Sequence, residues 1–144
     1  MRLVIYGVVF LVAVSVFVSA YVRLAPSDPK LWNTPITASE DVDSVGGAIR
    51  ILQADLELFR RVRHEMGALP RTQVVIRARK IVGAQEERRI TFVTRSLIWG
   101  FPDYTTVQFS DGVLKLYGRL RFGRSDLGVN GKRLQGVLRR AQGG

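Results

Sequence analysis

Basic and aromatic side chains recur at every second position of one segment near the C-terminal end of this 144-residue sequence. From Val113 to Phe122 the residues alternate between two sets, which predicts a strand with one apolar face and one basic, aromatic face. The basic stripe comprises Lys115, Tyr117, Arg119 and Arg121, and Arg124 and Asn130 follow it, the latter as the expected N-cap of a helix. Because arginine forks and helix N-termini both favour anions, these six residues are the candidate site for a carboxylate, a phosphate or an acidic partner.

The same arginines have an alternative role inside the protein. A half-buried arginine normally pairs with acceptors of its own chain. The sequence offers Asp103, Asp126 and an acidic stretch between residues 28 and 43 as internal partners. Sequence alone therefore leaves both interpretations open.

Three aromatic residues surround a predicted turn at residues 99–104. Such aromatics either close the end of a core or form a contact surface, which can enter a membrane interface. We expect Phe101 to belong to the core, and we treat Trp99 and Tyr104 as candidates for a contact surface.

Catalytic and metal-binding chemistry has little support in the residue types. The single histidine, His64, falls among arginines in a predicted helix, and the chain has no cysteine. The absence of cysteine excludes disulfides, thiolate metal sites and cysteine nucleophiles. A hydrolase-like enzyme would use Asp103 and Asp126. Aspartate in turns commonly stabilises the loop by local hydrogen bonds, so we expect structural roles for both, no catalytic residue, no metal and no cofactor.

The N-terminal end can carry the chain to a membrane. Twenty consecutive residues without charge run from Leu3 to Val22, and a helix of that length spans about 30 Å, the thickness of a hydrocarbon core. A cleaved signal peptide ending at Ala20 is the alternative. Cleaved signals usually have apolar cores of about 7–15 residues, so the length favours an uncleaved anchor. The flanking charges orient it weakly, and we place the N-terminus in the cytoplasm and the domain outside.

The remaining residues predict one domain and an approach to it. Residues 1–22 form the membrane segment, residues 23–45 form an extended lead with three prolines, and residues 46–144 form a single domain. Helices are expected after Asp55, ending at Gly67, and after Asn130. A charged loop is expected at residues 85–88. The fold class is α+β, with an N-terminal transmembrane helix followed by a four- or five-stranded, mainly antiparallel sheet and two helices on one face.

Three motifs make the chain resemble a known family. They are Arg23 to Pro29 with Trp32 after it, Thr94-Arg95-Ser96 through Gly100 to Val107, and Gly118 to Asn130. Together they resemble the domain-of-unknown-function family 1499 of proteobacteria and plastid-bearing eukaryotes. Its bacterial members are similar in having an apolar N-terminal segment before one small domain. The resemblance covers nearly everything after Arg23 and implies no activity or mechanism, and the stretch 77–80 and the loop around Glu86 are more charged than it implies.

The net charge and the expected location of the protein together indicate its partners. The net charge is +10, which favours lipid headgroups, nucleic acid or acidic protein faces. No nucleic-acid motif is present, and a domain outside the cytoplasm does not meet DNA, so nucleic acid is not expected. We expect a single-pass protein of the bacterial inner membrane with a periplasmic C-terminal domain. Its expected partners are the membrane and an inner-membrane protein complex or an anionic lipid; the sequence does not fix the oligomeric state.

Three functions remain from the sequence. The first is a non-enzymatic, membrane-anchored, extracytoplasmic interaction or assembly module. The second is a binder of a small anionic ligand or lipid headgroup, and the third is an enzyme using Asp103 and Asp126. A deep pocket lined by the candidate residues would favour the second or third, whereas a flat patch with an apolar centre would favour the first.

Overall fold

The described part of the chain contains four helices and six strands. The computed structural model describes the backbone of residues 1–82 and 85–143 and, within them, the side chains outside 79–86. The helices are α1 (Arg2–Leu24), α2 (Pro29–Trp32), α3 (Leu56–Ala68) and α4 (Val129–Gly143). The strands are β1 (Val42–Ser44), β2 (Gly47–Gln53), β3 (Thr72–Val82), β4 (Gln85–Arg95), β5 (Pro102–Ser110) and β6 (Val113–Leu120).

The strands form one antiparallel sheet in the order β1-β2-β6-β5-β4-β3. This confirms the α+β class, and the sheet has one strand more than predicted. The additional strand is β1, which lies within the predicted lead and has only three residues, all exposed. Because it has no alternation of apolar and polar residues, the pattern used to recognise strands could not reveal it.

Several predicted boundaries differ from the structure. Residues 85–88 belong to strand β4 and do not form a loop, and Gly83, expected to break the strand, lies outside the described residues. Strand β6 ends before Arg121. A single helical turn, α2, also begins at Pro29 in the predicted extended lead. Proline is tolerated there because the first helical residue needs no intrahelical N–H bond, and Asp28 accepts a hydrogen bond from the N–H of Lys30 as the N-cap.

Helices α3 and α4 cover one face of the sheet, which we call the helix face. Asp55 caps α3 by accepting the N–H of Leu58 at 2.7 Å. The core on this face combines the apolar stripes of both helices with side chains of β2, β4, β5 and β6. Its largest fully buried members include Phe92, Met66, Leu114, Leu116 and Leu134.

The lead crosses the opposite face, which we call the lead face. The Trp32 ring stacks on that of Tyr104, with the centroids 3.8 Å apart and 12° between the planes. The N–H of Ile36 donates to Oε1 of Gln108 at 2.7 Å. The acidic residues at the end of the lead turn instead to the sheet margin, where Asp43 accepts from Arg50 at 2.7 Å. The lead is therefore packed against the sheet at these contacts.

Helix α1 is long and apolar enough to cross a membrane, a property that a signal sequence shares. Residues 1–18 are almost entirely exposed, whereas Val22 is buried against the domain. Arg95 holds this helix end, since its guanidinium donates to the carbonyls of Val22 and Arg23, both at 3.3 Å. These carbonyls belong to the last helical turn, which has no intrahelical donors for them. The helix end is thus fixed on the domain.

Candidate functional site

The basic stripe lies on the lead face. Lys115, Tyr117 and Arg119 project from β6 on the side opposite the core residues Leu114 and Leu116. The alternation along the strand produces this division, as the sequence pattern predicted. The lead therefore covers the stripe, and its contacts decide what the cations bind.

The carbonyl oxygen of Trp32 is the most heavily used acceptor over the stripe. It accepts from Arg119 Nη2 at 2.6 Å and from the hydroxyl of Thr106 at 3.1 Å. A third and longer contact comes from the hydroxyl of Thr91 at 3.4 Å. Three strands thus converge on one main-chain atom of the lead.

Arg119 is enclosed by aromatic rings. Its guanidinium carbon lies 5.1 Å from the ring centroid of Trp32 and 4.8 Å from that of Tyr117. Both distances are within the range of cation–π attraction. Burial lowers the pKa of Arg119, while Tyr117 acts in the opposite direction. Because the guanidinium stays charged, its burial requires acceptors, and the lead provides one.

The other two cations of the stripe also bind main-chain carbonyls of the lead. Lys115 Nζ donates to Ala38 at 2.7 Å and to Ile36 at 3.3 Å. Arg121 Nη1 donates to Pro26 at 2.9 Å and lies 3.2 Å from the hydroxyl of Tyr104. The internal partners are therefore carbonyls and not the carboxylates that the sequence suggested. Anion binding by the stripe stays a prediction, and a ligand there would have to displace the lead.

The remaining two candidates of the basic set lie apart from the stripe. Arg124 is exposed in the loop between β6 and α4. Asn130 lies in the first turn of α4 and not at its cap, because α4 begins at Val129. It is fully buried on the helix face, where its Oδ1 accepts from Arg133 at 2.6 Å and touches the position of a Cβ on Gly118. The sheet therefore separates Asn130 from the stripe.

Asp126 takes the capping role that was expected of Asn130. Its carboxylate accepts the N–H groups of Gly128 and Asn130, each at 3.0 Å. Burial raises the pKa of Asp126, but these hydrogen bonds outweigh burial and lower it below the usual value. A charged carboxylate at this place satisfies orphan donors of the helix start.

Asp103 lies on the helix face and pairs with Arg133. The guanidinium donates to its Oδ2 at 3.2 Å. Burial raises the pKa of Asp103, and the attraction and hydrogen bond of Arg133 only partly oppose this. Both aspartates thus have internal partners.

The three aromatic residues of the turn have different environments. Tyr104 is fully buried beneath Trp32, and its hydroxyl lies 2.6 Å from that of Ser27, so it forms no exposed contact surface while the lead is in place. Phe101 is half-buried against Phe122, outside the main core. Trp99 is 39% exposed and lies beside α1.

Two arginine-lined cavities have no counterpart in the sequence analysis. A cleft of about 610 Å³ lies between α3 and β3, lined by Arg63, His64, Gly67, Ala68, Val74, Arg77 and Phe92. A cavity of about 230 Å³ beside the end of α1 is lined by Arg23, Arg71, Gln73, Val93, Arg95, Ser96 and Leu97. Each brings together arginines that are far apart in the chain, so no local sequence pattern could have pointed to these cavities. Within the described residues no group of three or more His, Cys, Asp or Glu side chains could hold a metal ion.

Comparison with known proteins identifies a family. No curated protein matches the chain. A family model described as "Protein of unknown function (DUF1499)" matches residues 20–140, which include the lead, the whole sheet and nearly all of α4. The lead that covers the basic stripe is thus part of the matched region, and the chain belongs to the DUF1499 family.

Proposed function

We propose that this protein is a membrane-anchored, non-enzymatic interaction module whose domain stands on the periplasmic side of the bacterial inner membrane. The observation that carries the proposal is the open edge of the sheet at β3, which pairs only with β4 among the described residues and runs beside the cleft under α3. An edge strand offers main-chain donors and acceptors to another chain. The cleft adds side-chain contacts along the same edge.

The cleft is cationic. Arg63 on α3 and Arg77 on β3 are both exposed, and neither pairs with a carboxylate of the described residues. His64 lies next to them, and Phe92 and Val74 form an apolar part of the lining. Unpaired cations beside apolar surface fit an acidic segment with a few apolar side chains.

We therefore propose an acidic, extended segment of a membrane protein as the occupant. It would add to the edge of β3 by main-chain hydrogen bonds, the mode known as β-augmentation, and place carboxylates against Arg63 and Arg77. Helix α1 is held to the domain by Arg95, so the edge keeps one orientation relative to the anchor. A fixed orientation suits a module that meets a partner in the same membrane.

The test is purification of full-length protein from detergent-solubilised membranes, with mass spectrometry of co-purifying proteins and small molecules. The variant is Arg63→Glu/Arg77→Glu. The matched control is Lys132→Glu/Arg139→Glu, which makes the same charge change at two exposed positions of α4. We expect a membrane protein complex with wild type and control, and its loss in the cleft variant. Equal recovery of the complex in all three proteins would overturn the cleft as the interaction site.

A small anionic ligand is the second candidate for the same cleft. Its volume of about 610 Å³ lies within the range of about 300–1,000 Å³ typical of small-molecule sites. An anionic metabolite that co-purifies without any protein, and is lost in the cleft variant, would replace the first proposal. The hydrolase-like alternative has no comparable support, because Asp103 is committed to Arg133 and Asp126 to the N–H groups that begin α4.

A further inference from the structure

The loop between β4 and β5 exposes apolar side chains beside the end of α1. Leu97 and Ile98 are 72% and 74% exposed, and Trp99 is 39% exposed. Adjacent large apolar side chains on a protein surface indicate a place that a membrane or another molecule covers.

The loop lies beside the last turns of α1. The hydroxyl of Ser19 lies 3.4 Å from the carbonyl of Trp99, and Arg23 Nη2 donates to the carbonyl of Ile98 at 3.3 Å. Ser19 and Arg23 belong to the last two turns of α1. A loop level with the apolar helix end is placed at the boundary of any bilayer that α1 crosses.

Other loops at the same end of the sheet share this character. Val45, between β1 and β2, is 70% exposed, and Leu127, between β6 and α4, is 84% exposed. At the opposite end, the described residues of the connections after β2 and β5 include no exposed large apolar side chain. Apolar loop residues thus collect at the end where α1 leaves the domain.

Three arginines line a cavity at this end. Arg23, Arg71 and Arg95 surround about 230 Å³ next to Leu97. Their hydrogen bonds with protein acceptors go to main-chain carbonyls and one hydroxyl, and none pairs with a carboxylate of the described residues. Three cations without a counter-ion form a site for a phosphate.

We infer that this end of the domain rests on the bilayer that α1 crosses, and that the three-arginine cavity binds the phosphate of an anionic phospholipid. Leu97 and Ile98 enter the apolar boundary, and Trp99 and Tyr21 lie at the headgroup level, as aromatic residues do at membrane interfaces. The three arginines of the cavity lie beside this boundary and attract anionic headgroups. The inference rests on α1 remaining in the protein as a membrane helix, as in the proposed function.

The absence of cysteine makes the insertion directly measurable. Full-length Ile98→Cys, labelled with an environment-sensitive fluorophore, is reconstituted in vesicles of phosphatidylcholine and phosphatidylglycerol. The control is Gln53→Cys, an exposed position at the opposite end of β2. We expect lipids brominated on their acyl chains to quench the label at residue 98 and to leave that at residue 53 unchanged. If brominated lipids leave the emission of the label at residue 98 unchanged, as they do for the label at residue 53, the inference is overturned.

Alkaline extraction of the same vesicles separates the two proposals. Protein released by carbonate has no membrane helix, so both the anchored module and the bilayer surface fail together. Protein that stays in the membrane with an unquenched label at residue 98 contradicts the bilayer surface alone.

The phosphate site has its own test. Native mass spectrometry of full-length protein released from detergent reports retained phosphatidylglycerol and phosphatidylcholine. Arg71→Gln removes one cation of the cavity, and Arg139→Gln removes an exposed arginine of α4. We expect preferential retention of phosphatidylglycerol by wild type and control, weakened roughly tenfold in Arg71→Gln, because a charge-assisted bond to phosphate is lost. Retention unaffected by Arg71→Gln would overturn the phosphate site.

Discussion

The helix face of the sheet is held by apolar packing, whereas the lead face combines one aromatic stack, Trp32 on Tyr104, with hydrogen bonds to main-chain carbonyls of the lead. The donors of these hydrogen bonds are arginine, lysine and threonine side chains. On the helix face, Leu114 and Leu116 are fully buried against α3 and α4. On the lead face of the same strand, Arg119 reaches the carbonyl of Trp32 at 2.6 Å. One alternating strand thus serves two layers of different chemistry.

The difference concerns how each layer tolerates change. Apolar contact is non-directional and roughly proportional to buried area, so the helix face depends on volume. A buried cation needs an acceptor at the right place, so the lead face depends on the path of the lead backbone. We expect loss of volume to act on global stability, and loss of a cation to release the lead locally.

The largest effect is expected from Leu116→Ala on the helix face. The leucine is fully buried, and removal of a buried leucine costs about 2–5 kcal/mol because a cavity remains. Urea unfolding of the full-length protein in detergent, followed by circular dichroism, measures the change. Leu127→Ala is the matched control, since that leucine is 84% exposed. A loss below about 1 kcal/mol in Leu116→Ala would contradict the apolar account of this face.

On the lead face, Arg119→Ala should release the lead. It removes the shortest hydrogen bond to the Trp32 carbonyl and the cation beside the Trp32 ring. Hydrogen bonds to charged groups contribute about 1.5–3 kcal/mol, so the free energy that holds the lead on the sheet should fall by an amount in that range. In a Trp99→Phe background, acrylamide should quench Trp32 more strongly in the variant.

Arg124→Ala is the control for that experiment, because Arg124 is exposed in its loop. It should change neither the stability nor the quenching of Trp32. If Arg119→Ala behaves like Arg124→Ala, the hydrogen bonds to the lead do not hold this face.

Gly118→Ala sharpens the comparison at a single position of β6. A Cβ at Gly118 would lie 3.0 Å from Oδ1 of Asn130 and 3.1 Å from its Cβ, on the helix face. Asn130 would have to give by a few tenths of an ångström, and overpacking of this kind costs about 1–3 kcal/mol. The same urea unfolding measures it, and Trp32 should keep its quenching because the lead face is unchanged. Increased quenching of Trp32 would show that the two faces are not independent.

The smallest effect is expected from the carboxyl group of Asp103 on the helix face, and it depends on pH. Burial raises the pKa of Asp103, so the folded protein binds its proton more tightly than the unfolded chain. Relative to Asp103→Asn, wild type should therefore gain stability as the pH falls from neutral through the raised pKa. The gain is complete below the unfolded value of about 3.9. Free energies of unfolding of both proteins across this range test the sign, and parallel curves would falsify the shift.

Local patterns were sufficient for much of this fold. The apolar run of α1, the capping aspartate of α3 and the alternation along β6 each depend on neighbouring residues, so the sequence predicts them directly. Helical spacing likewise predicts that Leu134 and Val137 are buried, as they are. The predicted division of β6 into an apolar and a basic face is also present in the structure.

The partners of the basic stripe could only come from the tertiary structure. Its acceptors are main-chain carbonyls of Trp32, Pro26 and Ala38. Every residue carries such a carbonyl, so no residue type marks the ones that will be used. The sequence also suggested a place for Asn130 beside the stripe. The turn after β6 instead carries Asn130 to the other face of the sheet.

By itself, the sequence determined an apolar N-terminal helix, the α+β class and a strand with one apolar and one basic face, because periodicity and composition are local properties. Only the tertiary structure decided that the lead covers the basic face and that Arg63 meets Arg77 beside an open strand edge. It also decided that Arg23, Arg71 and Arg95 meet at the end of α1. These arrangements join residues far apart in the chain, and they depend on how the layers pack and which backbone atoms the packing presents.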